Sequence, residues 1–356
     1  GYGMFFSKSR YCEGMQCPKM LWLKKNRPEE FDVTILDEQV LRTGDLVGDL
    51  AMGLFGHYVE VAHSADISVM IQRTRDLIDA GTPIIAEASF DYRNNFCSVD
   101  ILVNEPDGVV IAEVKSSTEC KENYLHDLAY QVFVLTGCGL SVKKSLLAHI
   151  NSVYVRQGDL DIQALFAIED MTQIVYSMLP AVEENIESIT LVAESCTEPE
   201  IDIGPYCTTP FDCGFQSHCW HHLPSPSIFD IAKLKAQTKF DAYYQGIITY
   251  PEILQSSIKL NDRQLLQIEA EVNKSPLEIN SDGLRRFLDD LNYPLYFLDF
   301  ETFQQAIPEF DGVSPYMQIP FQYSLHIQRA QGGVLEHQEY LAPCGIDPRR
   351  GLAEQL

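Results

Sequence analysis

The chain has 356 residues, enough for two or three domains with real cores, and carries 51 acidic against 26 basic side chains, a formal net charge of −25. That balance excludes broad, sequence-independent attraction to nucleic acid, because phosphate binding draws on Lys and Arg; any nucleic-acid site has to be locally basic. Hydrophobic content of 46% and charged content of 22% are those of a soluble globular protein, and no apolar run approaches the roughly eighteen residues of a membrane span. The opening Gly1-Tyr-Gly-Met4-Phe-Phe-Ser-Lys lacks the apolar centre of a signal peptide, so a cytoplasmic protein is expected, with Gly1 to Gly3 read as an appended remnant. In that compartment ten cysteines point to metal ligands or buried thiols before disulfides. The locally basic candidate is the N-terminal segment, with Lys8, Arg10, Lys19, Lys24, Lys25 and Arg27.

Cys17-Pro-Lys-Met-Leu-Trp-Leu23 has a proline suited to a first helical turn and apolar residues at helical spacing, which predicts a helix start. Asp37 to Gly56 is the next helix, with Leu41, Leu46, Leu50 and Leu54 as its apolar face, and Ala65 to Ala80 another, ending at Gly81-Thr-Pro83. Pro83 to Tyr92 reads as a strand carrying Glu87. Two apolar runs follow, Val99 to Val103 and Val109 to Val114, joined by Glu105-Pro-Asp-Gly108, a turn that closes a hairpin. Residues two apart on a strand share a face, so Glu113 and Lys115 project together, and pairing across the hairpin brings Asp100 beside them. Two carboxylates this close are costly unless a divalent cation lies between them, and oxygen-only donors favour Mg²⁺ or Mn²⁺. Lys115 would then steady a phosphoryl transition state or orient the attacking water. Asn123 to Gly137 reads as a helix with Asp127 and Gln131 on one face, Ser145 to Val155 as a strand and Met171 to Val192 as a long helix. The order predicts an α/β sandwich around a mixed sheet.

Cys207, Cys213 and Cys219 then recur at equal spacing in a turn-rich segment; with Cys17 they make four thiols, the complement of a structural metal or an iron–sulfur cluster. Spacing alone leaves zinc and iron–sulfur even, with His218, His221 or His222 available as substitute zinc ligands and Cys12 close enough in sequence to Cys17 to compete. Pro224 and Pro226 mark a boundary, after which Ile228 to Ser281 reads as a helical connector. Tyr293 to Thr302 is a hydrophobic strand ending in Asp299-Phe-Glu301-Thr, two carboxylates on one face, and Gln322 to Ile327 and Val334 to Leu341 read as the next strands of its sheet.

The first part of the chain resembles a PD-(D/E)XK nuclease of the RecB type, in the branch where one N-terminal and three C-terminal cysteines hold a four-iron four-sulfur (4Fe-4S) cluster, as in CRISPR-associated RecB-like exonucleases and the AddB helicase-nuclease subunit. The matching pieces are Cys17-Pro-Lys-Met-Leu-Trp-Leu23, Asp100, Glu113-Val-Lys115, Gln131, and Cys207, Cys213 and Cys219. The resemblance implies a restriction-endonuclease-like core, Asp100 and Glu113 as ligands of Mg²⁺ or Mn²⁺, Lys115 assisting catalysis, Gln131 supporting the site, and the cluster in preference to zinc; Glu87, from the preceding strand, is a further candidate metal ligand. One departure stands out: Gly44-Asp-Leu-Val-Gly48 carries glycine where these nucleases usually carry a histidine, which leaves Asp45, Asp49 or His57 to compensate. The Asp299-Phe-Glu301-Thr strand resembles the first motif of DnaQ-like exonucleases of the RNase H-like fold, whose four acids bind two metals; the chain reaches Leu356 before further acids of that kind, so the domain is expected to be truncated.

The organisation expected is therefore a RecB-like nuclease domain over residues 1–222, a helical connector over 223–290, and the start of an RNase H-like domain over 291–356. The expected activity is metal-dependent DNA hydrolysis, an exonuclease by the resemblance. The competing expectation is a weakly catalytic scaffold that binds nucleic acid or, given the acidity, protein partners through its metal cluster; a third is an RNA-directed exonuclease built on Asp299 and Glu301.

Overall fold

The computed structural model describes residues 4–356; Gly1 to Gly3, read above as a remnant, lie outside them. The chain begins with α1 (Lys8–Gln16) and α2 (Pro18–Asn26), then α3 (Glu38–Ala51), β1 (Val59–Glu60) and α4 (Ile67–Asp79). The strands β2 (Ile84–Tyr92), β3 (Asn95–Glu105) and β4 (Gly108–Val114) lead into α5 (Glu122–Gly137), β5 (Val142–Ile150), α6 (Ile162–Leu165), β6 (Phe166–Asp170) and the long α7 (Thr172–Ala193). Short helices α8 (Gln216–Cys219), α9 (Ala236–Tyr244) and α10 (Tyr250–Leu254) precede α11 (Asp262–Val272) and α12 (Ser281–Asp289). The chain closes with β7 (Leu295–Phe303), β8 (Ile319–Gln328), β9 (Leu335–Leu341) and α13 (Arg349–Gln355).

Two compact units emerge, one of Gly1–Asn151, Asp161–Phe229 and Lys233–Ile248, the other of Ser152–Leu160, Asp230–Ala232 and Thr249–Leu356. Among the described residues the first unit holds a six-stranded sheet in the order β1 to β6. The β1–β2 and β4–β5 pairs are parallel and the others antiparallel, a mixed sheet flanked by helices. Glu105 pairs with Gly108, so Pro106-Asp107 forms a two-residue turn. Gly108 is required there: its φ is +149°, and a Cβ would stand 2.6 Å from the Ser141 carbonyl oxygen.

The core follows from helix periodicity laid on an apolar sheet. Val175, Val182 and Ile189 recur every seventh residue of α7 and are buried, against an α5 whose Leu128, Tyr130 and Leu135 are fully enclosed with Ile85, Val99 and Ile111 of the sheet. Each such aliphatic side chain contributes about 1.5–3 kcal/mol relative to exposure. Helix α1 lies close against α7, because Gly14 carries no side chain where a Cβ would meet Ile189 at 2.6 Å. Its other anchor is the segment before it: Phe6 bridges to Asn95, its N–H donating to the Asn94 carbonyl at 2.9 Å and its carbonyl accepting from Phe96 at 3.0 Å. The Ser7 hydroxyl caps α1 by accepting from Arg10 N–H, which puts Lys8 at the first helical position.

Several expectations need correction. Helix α1 was not foreseen, since Lys8 to Gln16 is polar and contains Gly14; the helix expected at Cys17 is the second of two, separated by the extended backbone of Cys17 (φ −160°, ψ 108°) ahead of Pro18. The strand expected over 145–155 spans Val142–Ile150, and Ser152–Leu160 counts with the second unit. The first unit does not stop at residue 222: Phe240 of α9 is buried with Ile203 and Cys207, and Trp220 packs on Phe229, so this aromatic cluster carries the unit to Ile248. The stretch 223–290 is thus divided between the units and does not form a separate connector. In the second unit β7, β8 and β9 form an antiparallel meander with Tyr323, Leu325, Ile327 and Leu352 as its core. The strands expected around Gln322 and Val334 are both present.

Candidate metal and thiol centres

The β3 register, which pairs Ile101 with Ala112, puts Asp100 opposite Glu113 when continued by one residue, and the β2 register puts Glu87 opposite Asp100. Three carboxylates from three adjacent strands thus form one row across the sheet. The ladder is interrupted at Glu87, whose φ of +59° is left-handed in the middle of a strand. A bulky residue held there costs on the order of 1–2 kcal/mol, a strain typical of positions whose side chain must be re-aimed.

Asp100 is fixed by its Oδ2, which accepts from Val114 N–H at 2.8 Å. Glu113 is 3% exposed, and both of its oxygens are engaged. Gln131 Nε2 donates to Oε2 at 2.8 Å, Lys8 Nζ donates to Oε2 at 3.1 Å and Oε1 at 3.3 Å, and Lys115 Nζ stands 3.2 Å from Oε1. Lys115 is held from the other side by Asp127 Oδ2 at 3.0 Å, and Asp127 Oδ1 accepts from Gln131 at 2.8 Å. Gln131 is fully buried, and its Oε1 has no partner among the described residues, an acceptor a bound water would satisfy.

Electrostatics separate the roles. Burial alone would discharge Lys115, but Glu113 and Asp127 outweigh it and hold the ammonium charged well above the ordinary lysine range. Lys8 behaves likewise: burial opposes its charge, and Glu113, Asp100 and Asp127 together more than restore it. Burial pushes the Glu87 carboxyl up, with Lys8 pulling it down and Glu113, Glu60 and Asp49 adding to the rise. Burial and then Glu113 push Asp127 up, against Lys8 and Lys115.

The hairpin trio and Gln131 were legible in sequence, and all four come together. Asp127 shares the Gln131 face but carries more of the site than its spacing indicated, gripping the lysine. Lys8 was counted only as part of a basic segment; its sole sequence signal is the Ser7 cap, which says nothing of where the helix packs.

The second centre joins chain segments almost two hundred residues apart. Cys17, Cys207, Cys213 and Cys219 line one cavity together with Met20, Leu23, Tyr206 and Phe215. Gly204 N–H donates to Cys207 Sγ at 3.5 Å, Phe215 N–H to Cys213 Sγ at 3.4 Å, and the N–H groups of Lys19 and Met20 at the start of α2 point at Cys17. Burial pushes the Cys17, Cys213 and Cys219 thiols up. Gln16 ties the loop to α1, its Nε2 donating to the Tyr206 and Phe211 carbonyls at 2.7 Å each. The expected competitors are engaged elsewhere. Cys12 lies against the carboxylate centre, its Sγ 3.8 Å from the Asn123 carbonyl, because α1 ends before Cys17 and turns the two cysteines apart. His218 pairs with Glu198 at 2.6 Å and His222 with Tyr243 at 2.8 Å, and neither these nor His221 lines the thiol cavity.

Among the described residues no three His, Cys, Asp or Glu side chains converge as tightly as a single metal ion requires. Asp299 and Glu301 lie two apart on β7, exposed, opposite Ser324 and Gln322 of β8, with no third acid drawn to them.

A family profile described as "Domain of unknown function (DUF2779)" matches residues 296–356, the stretch from β7 to α13. A solved structure titled "Crystal structure of SSO0001" is similar at 11% identity over 54% of this chain and 77% of that one, with a TM-score of 0.27. No curated protein matches. Among the described residues no helix is long and apolar enough to cross a membrane.

Proposed function

We propose that the chain is a metal-dependent deoxyribonuclease that hydrolyses phosphodiester bonds, with its first unit a PD-(D/E)XK nuclease core and its thiol centre the seat of a 4Fe-4S cluster. The observation that carries this reading is the meeting of Asp100, Glu113 and Lys115 across the hairpin, locked from α5 by Gln131 and Asp127.

The donor set fits a hard divalent cation: it is all oxygen, and a lysine ammonium already lies between Asp100 and Glu113 as a stand-in cation. Asp100 Oδ1 and Glu113 would hold Mg²⁺ or Mn²⁺, with Glu87 on the neighbouring strand. The ion supplies a Lewis acid and an activated water. Everything else falls to the chain's own groups. Lys115, held by Asp127, would face the phosphoryl oxygens and steady the charge that grows on them as the P–O bond breaks. Asp127 and Gln131 hold Lys115 and Glu113 in place before substrate arrives. At the other centre four soft donors, with N–H groups directed at three of their sulfurs, suit an iron–sulfur cluster. Asp299 and Glu301 are assigned, in the same spirit, to one side of a second, DnaQ-like metal site on the second unit.

Cleavage of labelled single- and double-stranded DNA under Mn²⁺ titration tests the reading. Asp100→Asn, Glu113→Gln and Lys115→Ala should each abolish products while circular dichroism stays unchanged; a folded variant that cuts as fast as the parent overturns the assignment. Anaerobic purification followed by a visible spectrum and iron, sulfide and zinc analysis tests the cluster, which a colourless zinc protein would exclude.

A further inference from the structure

The ammonium of Lys8 stands 3.1 Å and 3.3 Å from the two oxygens of Glu113 and 3.8 Å from Asp100 Oδ1. Those are the oxygens the metal reading needs. We propose that Lys8 is the resident cation of the metal-free centre and that divalent metal binds by displacing it, so that metal affinity is set by competition with a built-in ammonium. The inference rests on the metal reading of the same site.

Three observations carry it. The centre gathers Glu113, Asp127, Asp100 and Glu87 around two lysines, and the lysines are held differently. Lys115, the residue after β4, is clamped between Glu113 Oε1 and Asp127 Oδ2. Lys8 comes from the first position of α1, and it spans the acids at the end of an unbranched stem with 21% of its side chain exposed. The unbranched Lys8 stem can swing its ammonium off Glu113 and Asp100 without moving the backbone, whereas Lys115 also pairs with the buried Asp127. Second, Lys8 contacts the pair of carboxylates from two strands at once, as a bridging metal would. Third, once Lys8 withdraws, Asp100 Oδ1 and both Glu113 oxygens gain free lone pairs, while Asp100 Oδ2 remains fixed by Val114 and Glu113 keeps Gln131. Two positive charges from the metal then replace one from the lysine.

Mn²⁺ binding to the full chain, followed by electron paramagnetic resonance and calorimetry with no DNA present, tests this. Lys8→Met is expected to bind Mn²⁺ about tenfold more tightly, since the binding-competent state no longer has to be won from the lysine. Its thermal midpoint in EDTA should lie below that of the parent, and saturating Mn²⁺ should raise it by more than it raises the parent. Lys8→Arg keeps the charge and adds a bidentate carboxylate grip, so it should bind Mn²⁺ more weakly than the parent, and this holds as a test even where Lys8→Met folds poorly. If Glu113→Gln abolishes the binding of the parent but Lys8→Met binds no tighter and Lys8→Arg no weaker, the role of Lys8 is overturned and the metal site stands. If neither the parent nor Lys8→Met binds Mn²⁺ at a site sensitive to Glu113→Gln, the metal reading falls and this inference falls with it.

Discussion

The pairing of Lys115 with Asp127 is the most exacting test of the carboxylate centre, because its energy is separable from the cost of burying either group. The contact is 3.0 Å, with the Asp127 side chain 7% exposed and that of Lys115 25% exposed. Single substitutions mix several effects: Asp127→Asn removes a charge that burial already penalises, and Lys115→Met leaves Glu113 and Asp127 facing each other. A double-mutant cycle cancels these terms. An exposed pair would couple by less than about 1 kcal/mol, and removing one partner of a fully buried pair costs about 3–5 kcal/mol, so a pair with one buried and one quarter-exposed member should couple by about 2 kcal/mol. The assay is urea unfolding of Asp127→Asn, Lys115→Met and the double variant, in EDTA and at constant ionic strength. The coupling should shrink only modestly as salt is raised, since little of the pair is open to screening. Effects that add to within about 0.5 kcal/mol would show that the two groups do not share the geometry described, and would remove the basis for calling Lys115 held in place.

Glu87 supports two further expectations. Glu87→Gly should leave stability unchanged or raise it by about 1 kcal/mol, since glycine accepts a φ of +59° without strain, while Mn²⁺ binding weakens; a clear loss of stability would mean the backbone there is not strained. The carboxyl is raised by burial from its ordinary 4.5, so the folded state binds the extra proton, and the ionised form weighs against folding. The stability of the parent relative to Glu87→Gln should therefore fall as pH rises from about 4.5 through the raised folded-state value, and level off above it; a difference that is flat or rises over that window in EDTA refutes the assignment. Gln16→Ala removes both 2.7 Å bonds that fasten α1 to the cysteine loop. At about 1 kcal/mol for each bond, it should lower the thermal midpoint and hasten metal loss to a chelator, and unchanged release kinetics would count against the clasp.

Much of this protein was legible in its residues. Extended apolar runs either side of Glu105-Pro-Asp-Gly108 dictate the hairpin, and once the hairpin exists its register alone places Asp100 opposite Glu113. The three-residue and four-residue spacing along the helix after it dictates that Asp127 and Gln131 share a face. These are short-range consequences of pleat and helix geometry, which is why sequence sufficed. The same periodicity was silent about Lys8 to Gln16, a polar segment that is helical because Ser7 caps it and because Gly14 lets it press against Ile189.

Tertiary structure decided what separate segments do together. Cys12 and Cys17 are neighbours in the chain, yet the break at Cys17 sends one to the acids and the other to the thiols. The boundary expected at the prolines fell later, because an aromatic cluster around Phe240 holds the next helix to the first unit. Lys8 lies 105 residues from Glu113, and no local pattern links them. Spacing determines which side chains share one element; only packing determines which elements meet, and the cation now lying between Asp100 and Glu113 arrives from an element seated by Phe6, Gly14 and Gln16 together.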